Sequence, residues 1–375
     1  YNGQRRATRG QILPMSLTPP RAVESHQLAD HTVDLRMPLL ALMALIVGTG
    51  GAIGAWILIK LIAIATNLFW FGRLSASNSV ITEASVGILV VAIPVLGSVI
   101  VGLMARFGSD KIRGHGIPEA IETILFGESR LSLKVALLKP LSSAISIGSG
   151  GPFGAEGPII MTGGAIGSLF AQCFHLSAAE RKTLLVAGAA AGMTAIFGTP
   201  LAAILLAVEV LLFEWKPRSF VPVVVAAMVS FAWRPYLIGS GPMFPMASIL
   251  PETNWALPAS ALIGLLVGVE AMLLSPALYR IEDLFHKLPV HWMWWPAIGA
   301  IVVGLGGLID AHVLGAGYAS IDALLNGSLA LKVVLALLVV KAVVWLVALG
   351  SGTSGGVLAP LLILGGAAGF LVGGY

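Results

Sequence analysis

Glu156 lies in a short run of glycines, Gly154-Ala155-Glu156-Gly157-Pro158, that ends where a long apolar stretch begins. Proline is accepted in the first turn of a helix, because the N–H it lacks would have no partner there. The turn therefore predicts a helix from Glu156 to about residue 174. The first N–H groups of such a helix have no internal acceptor, and the helix dipole adds positive potential to them. Glycines let a ligand approach the backbone closely. Together these features suit an anion and need no cationic side chain. A carboxylate at the same helix end occupies the place an anion would take. Glu156 can thus compete with an anion, and protonation ends the competition. The plainer alternative is an acid that only complements the helix dipole, worth about 0.3–1 kcal/mol. It leaves unexplained a glycine-flanked acid in an apolar setting, where burial is costly and acids are functional by default.

A second turn of the same kind reads Gly356-Val357-Leu358-Ala359-Pro360. Aligned without gaps, Gly148–Gly167 and Gly350–Gly369 agree at nine of twenty positions, including Gly154/Gly356 and Pro158/Pro360. A weaker match pairs Gly114–Gly116 with Gly315–Gly317 at nearly the same offset of about 200 residues. Glycine-rich coincidence does not supply two matches at nearly one offset, so the chain is read as an internal repeat. In membrane transporters, paired broken helices at matching repeat positions mark a binding site at the repeat interface. The candidate anion site is then the two glycine-rich turns, with the helix starts near Glu156–Pro158 on one side and Val357–Pro360 on the other. A third turn, with His115, Gly116 and Ile117 before Pro118, is a further candidate. His115 reads equally as an N–H donor to the anion or as an interfacial histidine. Lys139 lies in an apolar helix seventeen residues before Glu156. It either raises the potential around the anion or snorkels to the interface.

The elements that must hold these turns are apolar helices. The 375 residues are 57% hydrophobic and 11% charged, with a mean hydropathy of +0.93. Soluble domains carry about 25% charged residues. Runs such as 37–71, 86–107, 257–276 and 329–349 approach or exceed the roughly 20 residues that span a bilayer. The first half reads as helices at 37–71, 86–107, a short one after Pro118, 131–147, 156–174, 178–197, 199–214 and 218–235. The second reads as 255–288, 292–309, 314–326, 329–349 and 357–374. Several are shorter than a span, and such broken helices survive only where they line a cavity or face protein. Residues 1–35 form a polar tail, 36–235 the first repeat and 236–375 the second. By the repeat offset the second is incomplete by about 60 residues. The net charge of +4 is spread along the chain, which argues against nucleic acid. Arg5, Arg6, Arg9, Arg21 and Arg36 precede the first span, and Arg106, Lys111 and Arg113 follow the second. Basic loops stay inside, so the N-terminus is placed in the cytoplasm and the chain is a multi-pass protein of the cell membrane. A single cysteine, Cys173, excludes an internal disulfide and a thiolate metal site. No metal or cofactor is expected. The sequence lacks HExxH and shows no nucleophile–base pair at membrane depth, and no enzyme activity is expected.

The three turns resemble the signatures of the CLC family of chloride channels and chloride/proton antiporters. Those signatures are GSGIP, GKEGP or GREGP, and GxFxP, and the likeness extends from about residue 36 to the end. The segment from Thr199 to Leu211 also resembles the family. The resemblance implies an all-α membrane bundle of tilted and broken helices in inverted repeats. It implies chloride as the transported ion, a lipid bilayer and a second copy of the chain as partners. Glu156 takes the place of the gating glutamate, and Lys139 that of a lysine the family often carries. Val357 and Leu358 stand as central-site amides and Gly154–Gly157 as the outer site. His115 replaces the family's serine, Ala155 its basic residue and Leu358 its phenylalanine. The resemblance places a tyrosine ligand beyond Tyr375. Val210, beside Glu209, stands where proton-coupled members carry a relay glutamate. The expectation is therefore a passive chloride channel gated by voltage and pH, with proton exchange as the alternative and an unrelated organic-anion carrier as a remote one. Pro158 and the His115 turn fit the chloride branches better than a fluoride exporter.

Overall fold

The computed structural model describes residues 36–84, 86–245 and 256–373. The tail expected at 1–35 lies outside them. The described residues form thirteen α-helices and no strand. They are α1 (Arg36–Phe71), α2 (Leu89–Phe107), α3 (Ile117–Phe126), α4 (Leu133–Gly148), α5 (Glu156–Gln172), α6 (Ala178–Phe197) and α7 (Pro200–Leu206). The series continues with α8 (Pro217–Leu237), α9 (Ala256–His286), α10 (Trp295–Ile309), α11 (Tyr318–Leu325), α12 (Leu331–Gly350) and α13 (Leu358–Gly373). Among the described residues six helical segments are long and apolar enough to cross a bilayer. Their outward faces carry Leu42, Ile46, Leu265 and Met272, all exposed. Water would penalise such faces, whereas hydrocarbon is their natural solvent.

The long-short order of the first five helices recurs from α9 to α13. Two clusters of buried residues accompany the two series. One is centred on α1, α5, α6 and α8, and the other on α10 to α13. Helix α6 runs through the first cluster, and Leu184 to Ile196 are all buried along it. Its alanines and glycines allow that, because small residues let helix backbones approach. Gly163 of α5 and Gly188 of α6 each lie against the other's carbonyl, so a Cβ on either would collide. The start of α6 is fixed by a capping box. Ser177 Oγ accepts from Glu180 N–H at 3.3 Å, and Glu180 accepts from Ser177 N–H at 2.8 Å. Glu180 also binds Arg36 at 3.0 Å and Arg218 at 3.1 Å, which ties the starts of α1, α6 and α8 together.

Segment 199–214, expected as one helix, is α7 followed by a π-helical turn over Ala207–Leu212. Phe213 ends it at φ 57. A π turn fits one extra residue into the helix and is common near functional sites. Its widened turn still separates the two residues of interest. Glu209 is exposed, while Val210 packs against the first core.

Candidate anion site at the crossed glycine turns

The turns before α5 and α13 run side by side. Gly154 N–H donates to Gly356 O at 3.0 Å, and Gly356 N–H donates to Gly154 O at 2.8 Å. This antiparallel pair locks the starts of two helices from opposite halves of the chain against each other. The turn before α3 closes the group. Gly157 lies so near the His115 carbonyl that no Cβ fits, and Gly116 lies as close to Gly157. Gly355 N–H reaches Gly114 O at 3.4 Å. The three glycine segments singled out from the sequence thus meet at one point.

Glu156 is 2% exposed and its carboxylate lies over this junction. A Cβ on Gly154 or on Gly356 would meet Glu156 Oε2. Oε2 is buried with no hydrogen-bond partner among the described residues. Oε1 accepts from the Tyr318 hydroxyl at 3.0 Å. The same hydroxyl accepts from Ala155 N–H at 3.0 Å. The acid therefore sits where the positive ends of α5 and α13 converge, as an anion would.

The N–H groups divide into two kinds. Those of Gly154 and Gly356 are committed to each other, Gly116 N–H to Glu119 Oε2 at 2.6 Å, and Ala155 N–H to Tyr318. These four residues build the cradle in this structure and do not present a donor to an anion. Gly157, Val357 and Leu358 stand in or beside the first turns of α5 and α13, where a helix supplies no carbonyl. Ile117 opens α3 in the same way. His115 is half-buried and its Nδ1 is buried with no hydrogen-bond partner among the described residues.

Lys139 does not snorkel. It is 1% exposed, and its Nζ donates to the carbonyls of Ile112 at 2.9 Å, Arg113 at 3.2 Å and Gly114 at 2.8 Å. The ammonium holds the turn that carries His115. Lys341 repeats the device in the second half. It is fully buried and donates to Val313 O at 3.2 Å and Gly315 O at 3.1 Å. Lys341 and Tyr318 were not singled out from the sequence, although the repeat carried a signal for both. The step from Gly154 to Gly356 also takes position 139 to 341, and Tyr318 follows the Gly315–Gly317 turn already matched to Gly114–Gly116.

The family described as voltage gated chloride channel matches residues 96–375. The chain belongs to this CLC family. It is 27% identical over 285 residues to a putative chloride channel protein, ClcB-like, of Ralstonia nicotianae, covering 75% of this chain and 66% of that one. It is 27% identical over 270 residues to the H+/Cl− exchange transporter ClcA of Yersinia pestis, covering 70% of this chain and 56% of that one. The alignments thus span between about half and two thirds of those relatives' length. Its fold is similar to that of a slow cyanobacterial Cl−/H+ antiporter, with a TM-score of 0.74 at 20% identity over 89% of this chain and 78% of that one. The CLC fold of broken apolar helices is the one the turns led us to expect.

Proposed function

We propose that the protein carries chloride across a bilayer and that Glu156 is the gate. One observation carries this reading: a buried carboxylate rests at the junction of two helix N-termini that together suit an anion. While charged and seated, Glu156 excludes chloride. Once protonated, it loses its attraction to the helix ends, and chloride takes its place beside Gly157, Val357 and Leu358. Ile117 and His115 line the third side. Helix ends attract the ion without a bare cation to trap it, which suits passage.

Proton-coupled exchange is the form of transport we favour over the channel expected from the sequence. Its support is the exchanger among the relatives and the antiporter among the similar structures. The acid that binds in chloride's place is also the acid that takes a proton, so one site serves both ions. Val210 favours the second reading, a passive channel, because it offers no proton relay. Liposomes holding the protein, under an imposed chloride gradient, separate the two. Exchange predicts uphill proton uptake that Glu156→Ala abolishes, and chloride flux without proton movement favours the channel.

Two placements follow. Arg36, Arg181, Lys182, Lys216 and Arg218 gather about the starts of α1, α6 and α8 through Glu128, Glu180 and Glu214. The positive-inside rule puts that end in the cytoplasm of a cell-membrane protein. The exposed apolar residues Leu201, Leu205, Phe213, Met228 and Phe231 on 199–235 fit lipid or a second copy in a homodimer. Cross-linking in native membranes that returns only monomers would count against the dimer.

A further inference from the structure

Tyr318 opens α11 after Gly317, whose φ of 71 turns the chain into the helix. Its ring packs near Phe244, with centroids 6.3 Å apart. Its hydroxyl makes two bonds at once, accepting from Ala155 N–H and donating to Glu156 Oε1, each at 3.0 Å. Tyr318 and Ala155 also line a cavity of about 590 Å³, with Ile62 and Thr66 of α1, Arg234 of α8 and His312. Tyr318 thus borders the cavity and, through its hydroxyl, bonds the gate carboxylate, which does not line the cavity itself.

Resting on the reading of Glu156 as the gate, we infer that Tyr318 is a latch that holds the charged gate shut on the cavity side. The assignment follows from the two bonds. The phenol O–H can donate only one proton, and it donates it to the carboxylate. Its oxygen meanwhile covers Ala155 N–H, a donor at the start of α5 that an anion entering from the cavity would meet. Moving Glu156 away breaks the first bond, and seating an anion at Ala155 breaks the second. A protonated Glu156 accepts the phenol proton more weakly, because hydrogen bonds to a charged acceptor are roughly twice as strong as neutral ones. The latch therefore loosens with the same protonation that unseats the gate. Tyr318 acts through Glu156 and is a positioning residue.

Other ionisable groups on the surrounding elements are occupied or placed elsewhere. Lys139 on α4 holds the carbonyls of 112–114, and Lys341 on α12 holds those of Val313 and Gly315. Glu119 on α3 binds Gly116 N–H. Arg234 donates to the carbonyls of Ala195, Gly239 and Gly241, and His312 pairs with Asp310 at 2.6 Å. His115 stands on the turn before α3, with its carbonyl against Gly157. Among the described residues, the latch bond is the side-chain hydrogen bond that reaches the gate.

The test is chloride efflux from liposomes across a pH series for wild type, Tyr318→Phe, Glu156→Gln and the double variant. Tyr318→Phe keeps the ring and removes both hydroxyl bonds. Efflux near neutral pH should rise about tenfold, the scale of one hydrogen bond to a charged group. Its half-maximal point should move upward by about one pH unit, which is the same tenfold. In the Glu156→Gln background, Tyr318→Phe should leave the pH profile unchanged, because no charged gate remains to hold. Incorporated 3-fluorotyrosine at 318 is a stronger donor and should move the half-maximal point downward, which keeps the test available if the Phe variant folds poorly. A Tyr318→Phe profile that overlays wild type while Glu156→Gln is pH-insensitive overturns the latch and leaves the gate standing. A Glu156→Gln protein with the wild-type pH profile overturns the gate itself.

Discussion

The two glycine turns share a scaffold and differ in what it carries. Both have proline in the first turn of the helix that follows, at Pro158 and Pro360. Both have a buried lysine holding the carbonyls that lead into the neighbouring short helix, Lys139 in one half and Lys341 in the other. The polar chemistry is not duplicated. Glu156 corresponds to Leu358, and Tyr318 corresponds to Ile117. Each half supplies one member of the Tyr318–Glu156 pair and an apolar residue in the other's place. The repeat thus builds a symmetric cradle of helix ends, and the gate arises from breaking that symmetry at two positions. An acid at both 156 and 358 would place two like charges at one junction, where they repel.

Making the halves alike has the largest expected effect. Glu156→Ala leaves both turns without an acid. Its chloride flux should be open and independent of pH, and proton movement driven by a chloride gradient should fall to the level of empty liposomes. Retention of the wild-type pH response in that variant would show that the asymmetry at 156 is not the gate.

The lysines sharpen the comparison from the side of the scaffold. Lys139→Met leaves the carbonyls of Ile112, Arg113 and Gly114 without their ammonium, whereas Lys341→Met leaves two. An unsatisfied buried polar group costs about 1–3 kcal/mol before relaxation. We expect apparent unfolding free energy in detergent to fall by about 2–4 kcal/mol for Lys139→Met and by less for Lys341→Met. Equal or raised stability would mean that burying the ammonium costs more than its bonds return.

A smaller difference separates Gly157 from Ala359, its counterpart. Ala359 is fully buried and tolerates its methyl group, but a Cβ at Gly157 would strike the His115 carbonyl. Overpacking of this sort costs about 1–3 kcal/mol. Gly157→Ala should lose stability on that scale, read by thermal unfolding in detergent. A neutral result would show that the turn bearing His115 is free to move away from α5.

Much of this architecture was legible because it rests on local rules. Hydropathy gave the long helices within a few residues, and Gly-x-x-x-Pro patterns gave the starts of α5 and α13. The repeat offset led to the crossing of the two turns. What stayed hidden depends on pairings across the chain. The mutual bonds of Gly154 and Gly356 use two of the amides that their position made candidate ligands. Only the fold reveals that, since a free and a committed N–H look the same in sequence. Lys341 was hidden by its surroundings, an apolar helix that reads as an ordinary span. Tyr318 was hidden because its repeat partner Ile117 is apolar, so the match drew no attention to it. The π turn at 207–212 has no signature in the sequence that forms it, aliphatic except for Glu209.

The smallest expected effect belongs to an acid outside the paired turns, and it contrasts a surface carboxylate with the gate. Glu214 lies in the loop before α8, with Ser219 Oγ donating to it at 2.9 Å, Lys182 at 3.4 Å and Lys216 at 3.3 Å. Burial alone would raise its affinity for a proton. The Ser219 hydroxyl and the two ammonium groups outweigh that and hold it below the usual carboxylate range. A carboxyl depressed in the folded state adds stability that is complete above its unfolded value, about 4.3. That stability is lost as pH falls through the folded value. These charges are partly exposed and screened, so the contribution should be under about 1 kcal/mol. Glu214→Gln should therefore melt slightly below wild type at pH 7, and the gap should close in mildly acidic to acidic buffer. Chloride flux and its pH profile should be unchanged, because nothing at Glu214 touches the crossed turns. A melting gap of the same size at every pH would assign the effect to packing rather than charge. A shifted flux profile would mean that this surface acid communicates with Glu156, and the contrast between the two carboxylates would then be lost.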